Sequence, residues 1–567
     1  LAVIADKTGY PVDMLELDMA LDADLGIDSI KRVEILSALQ EQLPGAPAIK
    51  PEHLGTLQTV AQIVDFLASV SGASTPAPAS ETDGPETALA GDTVERKLVK
   101  IVPLKSQQSR AHLALPAGAS IWIGAEGSTE LAAALALELQ QLGYQPKPVS
   151  LEELDFLPAP SELDGLILLP SDQPSERFLS RAFKLLQIAA AGLHASASRG
   201  TALLVTVSRL NGYFGLLPGA APADVISGGL AGLSKTAHHE WPQVRCKAID
   251  LAPELQDATI AARALTEEIL CEGPLEVGIS SNGLHTLKLT EAPLAQEARE
   301  LPLSEGDLVV ISGGARGVTA EVAVTLSAAS RATLLLLGRS PAPEVEPDWL
   351  AQLHNEGEIK QALREQSEKP LKPKDLEKQY QALLSSREIR NNLQRINAAG
   401  GKAIYRSVDL RNVEAVAQII AKVRSSHGPI KGLIHGAGVL ADRLIVDKTA
   451  DQFELVYSTK VEGLRSLLTA LDQDELRCLV LFSSSTGRFG RTGQVDYAVA
   501  NEVLNKMAQQ QARLRPHCRV LSLNWGPWDG GMVTPALKKL FQQEGIEVIG
   551  LQAGADYLLQ ELATPTG

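Results

Sequence analysis

Cysteine is scarce: Cys246, Cys271, Cys478 and Cys518 stand far apart in 567 residues, with no CxxC pair. That spacing excludes a disulfide framework or a zinc finger and fits reduced thiols in a reducing, cytoplasmic compartment. The ten histidines show neither HxxxH nor HExxH spacing, so no metal site is expected. No run of 18 or more apolar residues and no basic-then-apolar leader occurs, so neither a membrane span nor an export signal is expected. Cations are outnumbered, 52 Lys and Arg against 68 Asp and Glu, for a net charge of −16. Such a chain is a poor partner for nucleic acid, whose phosphates need clustered cations. There is no Met at position 1; the chain opens at Leu1 inside a helical pattern, as expected of a piece of something longer.

What is present is ordinary core material, 45% hydrophobic residues with 46 Gly and 32 Pro. The length predicts three or four globular units. Composition divides them. Residues 71–93, SGASTPAPASETDGPETALAGDT, hold no Lys or Arg and no apolar periodicity, and so read as a flexible tether within a linker at 71–97. Residues 1–70 before it show helical spacing at 1–8, 29–43 and 58–70, with Asp28-Ser29 where an N-cap belongs. This small unit holds eleven acidic residues against Lys7, Lys31, Arg32 and Lys50, a net −7.

Beyond the tether, β-branched runs alternate with longer helical stretches, the signature of α/β units with a parallel sheet. The region also repeats itself. DGLILLP (164–170) echoes KGLIHGAG (431–438), VTVSRLNGYFG (205–215) echoes LVLFSSSTGRFG (479–490), and RCKAIDLAP (245–253) echoes HCRVLSLNWGP (517–527). The offsets, 267, 275 and 272, are nearly constant. Two Rossmann-like halves are therefore expected, a shortened one at 98–300 and a fuller one at 301–567. The second carries a charge-rich helical insertion at about 341–395.

LVVISGGARGVTAEVA (308–323) reads as strand, Gly-rich turn and helix start, with Gly313, Gly314, Gly317 and Val318 able to approach a pyrophosphate. The next strand ends in Gly338-Arg339-Ser340, where an NAD enzyme would place an acid. Arg339, aided by Arg316, favours a 2′-phosphate and hence NADPH. Asp409-Leu410 would lie by the adenine, and Gly436, Ala437 and Gly438 would pack against the nicotinamide ribose.

In LVLFSSSTGRFGRTGQVDYAVAN (479–501), Tyr497 lies 13 positions beyond Ser484. A paired hydroxyl set suits carbonyl reduction, one group orienting the oxygen and the other protonating it. A free Tyr titrates near ~10, so a nearby cation is needed to bring it into range. Four residues on stands Asn501 rather than Lys, so YxxxK fails. The candidate cation is Lys460, 37 residues before Tyr497.

Ser484, Tyr497, Asn501 and Lys460, with GLIHGAGVLADRLI, KVEG and LNWGPW, resemble the ketoreductase domains of type I polyketide and fatty acid synthases, complex-type short-chain dehydrogenase/reductases. GLAGLSKTAHHEWPQVRCKAIDLAP resembles their truncated, non-catalytic structural subdomain. The resemblance implies that Tyr497 protonates a β-keto oxygen, Ser484 hydrogen-bonds it, Lys460 lowers the Tyr pKa and Asn501 orders a relay water. No Tyr stands near 222–230, so a second active site is not expected. Leu440-Ala441-Asp442 keeps the last Asp of the Leu-Asp-Asp associated with the D-hydroxy product, and Phe489 stands where the opposite class often has Trp. LDADLGIDSIKRVEIL (21–36) resembles an acyl carrier protein, with Ser29 the attachment point for 4′-phosphopantetheine. Its acidic surface would steer it to basic docking patches.

A carrier ahead of the reductase resembles type I iterative synthases, most of all polyunsaturated fatty acid synthases, although enediyne-type relatives share the order. The implied function is NADPH-dependent reduction of a β-ketoacyl thioester. The implied partners are the acyl chain, a phosphopantetheinyl transferase and the ketosynthase, acyltransferase and dehydratase of the same synthase. Two alternatives stay open at this stage: a non-catalytic carrier and scaffold segment, and a carrier-linked thioester reductase, which would be expected to keep YxxxK.

Overall fold

The computed structural model describes residues 1–21, 23–27, 29–43, 57, 59–68, 94–127, 129–171, 173–200, 202–217, 224–294, 300–531, 533, 535–543 and 545–564. The tether expected at 71–93 and Asp28 lie outside them. The chain forms two compact units. One gathers Glu95–Ser312, Asp409–Gly526 and Gln560–Gly567; the other gathers Leu1–Val94, Gly313–Val408 and Pro527–Leu559.

The first of these is built on strands. β1 (Lys97–Pro103), β2 (Ser120–Ala125), β3 (Gln145–Ser150), β4 (Gly165–Leu169), β5 (Leu203–Ser208), β6 (Arg245–Leu251), β7 (Glu276–Ser280) and β8 (Gly283–Glu291) form one sheet in the order β1-β8-β7-β6-β5-β4-β2-β3. It is parallel from β3 to β7 and closed at one edge by antiparallel β8 and β1. Every residue of β4 and β5 is buried, as continuous apolar strands between helical layers must be. The later strands of the chain are β9 (Leu308–Ser312), β10 (Thr333–Gly338), β11 (Lys402–Ser407), β12 (Ile430–His435), β13 (Cys478–Ser484) and β14 (Arg519–Trp525). In the same unit, β9, β12, β13 and β14 pair in that order, all parallel.

The internal repeat is therefore structural. The three echoing segments become β4 and β12, β5 and β13, β6 and β14, and β2-β4-β5-β6 runs in the same order as β9-β12-β13-β14. The first half is the shorter one. Between β2 and β4 it holds, among the described residues, one α-helix, Glu130–Gln141, the short strand β3 and a 3-10 turn, Leu154–Phe156.

The two halves meet through corresponding helices, Leu230–Glu240 and Val495–Leu514. A Cβ on Gly232 would stand 2.6 Å from the Val499 backbone nitrogen, so only glycine allows the approach. Lys235, fully buried, donates to the Gly487 carbonyl at 3.1 Å and pairs with Glu502 and Glu276. Burial pushes the Glu502 carboxyl up, but Lys235 and Lys506 outweigh it and hold it below the usual range.

The second unit holds the small helical region, the parallel pair β10–β11 and the insertion. Helices Ala2–Thr8, Ser29–Gln42 and Val60–Ala68 close on a core of Ile4, Leu21, Leu25, Ile35, Leu36 and Ile63. The insertion forms helices Asp348–Ala351, Glu356–Glu365 and Pro373–Ala398, the last opened by a proline in its first turn. Among the described residues no helix is long and apolar enough to cross a membrane.

Gly232→Ala forces the two contacting helices apart. The expected cost is about 1–3 kcal/mol by chemical denaturation.

Candidate active site

Strand β13 delivers Ser484 at its C-terminal end, where the chain turns into the short helix Ser485–Phe489. Ser484 caps that helix, its Oγ accepting from the Thr486 N–H at 3.1 Å. The hydroxyl proton stays available for another acceptor. The helix Val495–Leu514 carries Tyr497 in its first turn and Asn501 one turn later. Asn501 is buried; its amide donates to the Tyr497 carbonyl at 2.7 Å, and its Oδ1 has no partner among the described residues.

Lys460 arrives from the helix Ala450–Ala470. Its Nζ donates to the Phe482 carbonyl at 2.8 Å and lies 5.1 Å from the Tyr497 ring centroid. Gly438 leaves room for it, since a Cβ there would stand 3.0 Å from Lys460 Cε. The four residues singled out for carbonyl reduction thus converge. Burial without a carboxylate partner lowers the Lys460 pKa to about 7. Burial also pushes Tyr497 up to about 12, the Asn501 amide pulling down and the Asp442 carboxylate pushing up. Here the structure departs from the expected electrostatics. The Tyr497 hydroxyl is held in its protonated form, and the desolvated amine does not bring it below its ordinary value.

Asp442 accepts from Gln494 Nε2 at 3.0 Å, and Gln494 Oε1 accepts from Thr486 Oγ1 at 3.1 Å. A chain of side chains therefore leads from Asp442 to the turn that seats Ser484.

Several positioning residues escaped the sequence reading. His435 is fully buried. Its Nε2 faces the Lys460 carbonyl at 2.9 Å, which can only accept, so Nε2 carries the proton and Nδ1 accepts from Ser312 Oγ at 2.8 Å. Burial, aided by Lys460, lowers its pKa to about 3. Lys448 and Asp496, both buried, pair at 2.7 Å, and Asp496 Oδ1 also caps the Tyr497 N–H at 2.9 Å. Glu240, from the first half, accepts from the Ile445 N–H at 2.7 Å and the Gly493 N–H at 2.8 Å. His435 stands in the GLIHGAG run, but the positioning role of each is legible only once distant segments are together.

The residues expected to hold a dinucleotide divide between the units. In one, Gly313 and Gly317 take positive φ of 73° and 57°. Gly317 opens the helix Gly317–Ser330 with Arg316 before it, Gly314 is buried, and Val318 packs near Gly531. The Gly317 N–H donates to Glu388 Oε1 at 2.7 Å and Arg316 Nε to Glu388 Oε2 at 2.8 Å, so this donor set already holds an anion. Arg339 is exposed, with no charged partner among the described residues, and Ser340 accepts from the Tyr405 hydroxyl through its carbonyl at 2.6 Å. In the other unit, Asp409 is engaged by Arg411 at 2.6 Å, and Leu410 is buried beside Gly463. The Gly436 N–H donates to the Ser312 carbonyl at 3.0 Å, and the Ala437 N–H to Ser312 Oγ at 3.4 Å. Within the first of these units, the Gly317 N–H and the exposed Arg339, without a charged partner among the described residues, fit phosphate groups. No group of three or more candidate metal ligands occurs among the described residues.

Residues 308–530 match the KR domain family, and residues 1–67 match the phosphopantetheine attachment site family. The chain joins a carrier domain to a KR domain. It is similar to a component of the polyunsaturated fatty acid synthase of Thraustochytrium sp., 34% identical over 98% of this chain and 21% of that protein. Polyketide synthase PksN of Bacillus subtilis is 28% identical over 59% of this chain and 5% of its own length. The chain therefore spans about a fifth or less of these relatives. Among solved structures, the ketoreductase from the first module of phoslactomycin biosynthesis in Streptomyces sp. HK803 superposes with TM-score 0.59 at 22% identity, covering 83% of this chain and 91% of that one. An A1-type ketoreductase gives TM-score 0.62 at 19% identity, covering 83% and 91%. These neighbours share the fold of the KR domain.

Because His435 binds no proton in the fold until about pH 3 but titrates near 6.5 when exposed, its contribution to stability is whole above 6.5 and is lost as pH falls towards 3. Urea unfolding between pH 6.5 and 4 should show wild type losing up to roughly 1.4 kcal/mol per pH unit more than His435→Asn.

Proposed function

We propose that the KR domain reduces the β-keto group of an acyl thioester carried on 4′-phosphopantetheine at Ser29, giving the β-hydroxyacyl thioester, with NADPH as reductant. The observation that carries this reading is the convergence of Ser484, Tyr497, Lys460 and Asn501, with a protonated Tyr hydroxyl and an amine that lacks a carboxylate. A reduced nicotinamide, when bound, supplies the hydride. The rest falls to side chains of this chain.

Ser484 offers its free proton to the ketone oxygen and orients it. Tyr497, protonated at neutral pH, donates the proton that becomes the hydroxyl hydrogen. As negative charge grows on the phenolic oxygen, the amine of Lys460 gains a reason to hold a proton, and the two titrations draw together. Asn501 Oδ1, buried without a partner among the described residues, suits a water that returns a proton to the tyrosine. Asp442, through Gln494 and Thr486, is placed to bias which face of the ketone meets Ser484; the D-hydroxy product is the reading it supports. Arg339 and Arg316 would receive a 2′-phosphate, Glu388 giving way to it.

Ser29 is the first residue of its helix, and in this reading a phosphopantetheinyl transferase loads the arm there. The acyl chain and the ketosynthase, acyltransferase and dehydratase of the same synthase are the partners this implies.

Tyr497→Phe should lower reduction of a diffusible β-keto thioester by at least 100-fold while thermal unfolding stays unchanged; retained turnover overturns the assignment. Arg339→Ala should raise the KM for NADPH about tenfold and leave that for NADH unmoved, measured by initial rates; equal effects on both would count against NADPH.

A further inference from the structure

The role of the insertion is not explained by ketone reduction. Its helices Glu356–Glu365 and Pro373–Ala398 belong to the same unit as the carrier, and the two are packed together. Leu376, on the long insertion helix, is fully buried and belongs to one apolar cluster with the carrier residues Ile4, Tyr10, Leu25 and Leu36. Leu363 and Leu371 pack against the same cluster.

At the centre of the contact lies Lys360. It is fully buried, donates to the carbonyl of carrier residue Thr8 and pairs with Glu356 and Glu377. Its Nζ stands 4.3 Å from the Tyr10 ring centroid and 4.9 Å from that of Tyr380, a cation between two aromatic faces. The Tyr10 hydroxyl has one proton and three acceptors in reach: the carrier's own Leu25 carbonyl at 2.7 Å, and the insertion's Pro373 carbonyl at 3.0 Å and Glu377 carboxylate at 3.3 Å. Burial and the two glutamates raise its pKa, so the hydroxyl stays a donor. Two carrier turns bring backbone close to the insertion. Gly9 lies against Glu356, and Gly26 against Glu377 and Lys374. At the edge, Lys31 pairs with Glu356 at 3.3 Å.

Charge agrees with shape. The carrier is acidic, and the segment 369–378 facing it carries Lys369, Lys372, Lys374 and Lys378 against Asp375 and Glu377.

We propose that the helical insertion is a docking seat for the carrier domain of this same chain, with Lys360, held between Tyr10 and Tyr380, as the residue that recognises it. The seat reads the carrier backbone at Thr8 and the ring of Tyr10, features remote in sequence from Ser29. Docking and loading of the arm are therefore separable.

The test uses the full chain. Lys31 and Glu356 are close enough for a water-soluble carbodiimide to join them directly. Peptide mass spectrometry should find the Lys31–Glu356 isopeptide in wild type and at least a tenfold loss of it in Lys360→Glu. Hydrogen–deuterium exchange should rise in that variant at residues 2–10 and 373–380 together. Ser29 loading by a phosphopantetheinyl transferase and reduction of a diffusible β-keto thioester should stay within twofold. Absence of the wild-type cross-link, or an unchanged yield and exchange in Lys360→Glu, overturns the proposal. Should Lys360→Glu fail to fold, Lys360→Met, which keeps the apolar stem and removes the charge, decides by the same cross-link and exchange measurements.

Discussion

Of the lysines buried among the described residues, Lys235, Lys247, Lys360, Lys448 and Lys506 each meet a carboxylate, whereas Lys460 meets there the Phe482 carbonyl at 2.8 Å and no carboxylate. The difference separates the tied amines from the one that the proposed reaction uses. A carboxylate beside a buried ammonium fixes its charge and stiffens whatever it ties together. A lone carbonyl leaves the amine free to exchange its proton near neutrality, which is what a partner for a proton-donating tyrosine requires. His435 supports this from behind. It holds the Lys460 backbone carbonyl while staying neutral itself, so it orients the lysine without adding a second cation.

The paired amines do the holding. Lys448 with Asp496 fixes the start of the Tyr497 helix, and Lys235 with Glu502 fixes its second turn. Glu240 ties down the loops at 445 and 493 through backbone N–H groups. Two of these, Lys235 and Glu240, come from the half that lacks the reactive hydroxyls. In the proposed reaction that half would take part by holding the geometry of the other.

Much of this was legible in the chain. The near-constant offsets of the repeat foretold matching strand order, because the order of strands follows from the order of βα units. Ser484, Tyr497, Lys460 and Asn501 were recognisable by type and spacing, and the helical segments of the carrier by apolar period. The supporting set was not. Asp496, Lys448 and His435 look like any other polar residues until burial removes their water, and burial depends on segments far apart in sequence. For the same reason a cation in the sequence says nothing about whether it stays charged once desolvated: burial lowers Lys460 to about 7 and pushes Tyr497 up to about 12. Nor could Arg316 be known to hold Glu388, 72 residues further on.

The contact at Gly232 and Val499 has a wider meaning. Leu230–Glu240 and Val495–Leu514 occupy equivalent places in two copies of one pattern, and their contact resembles the self-complementary interface of a twofold dimer. Two identical protomers must both keep whatever the interface and the chemistry demand. Once the copies share one polypeptide, a substitution in one is no longer imposed on the other. One copy can then go without the other's serine and tyrosine while still supplying Lys235 and Glu240 to hold it. Sharing one chain lets a symmetric contact support a division of labour.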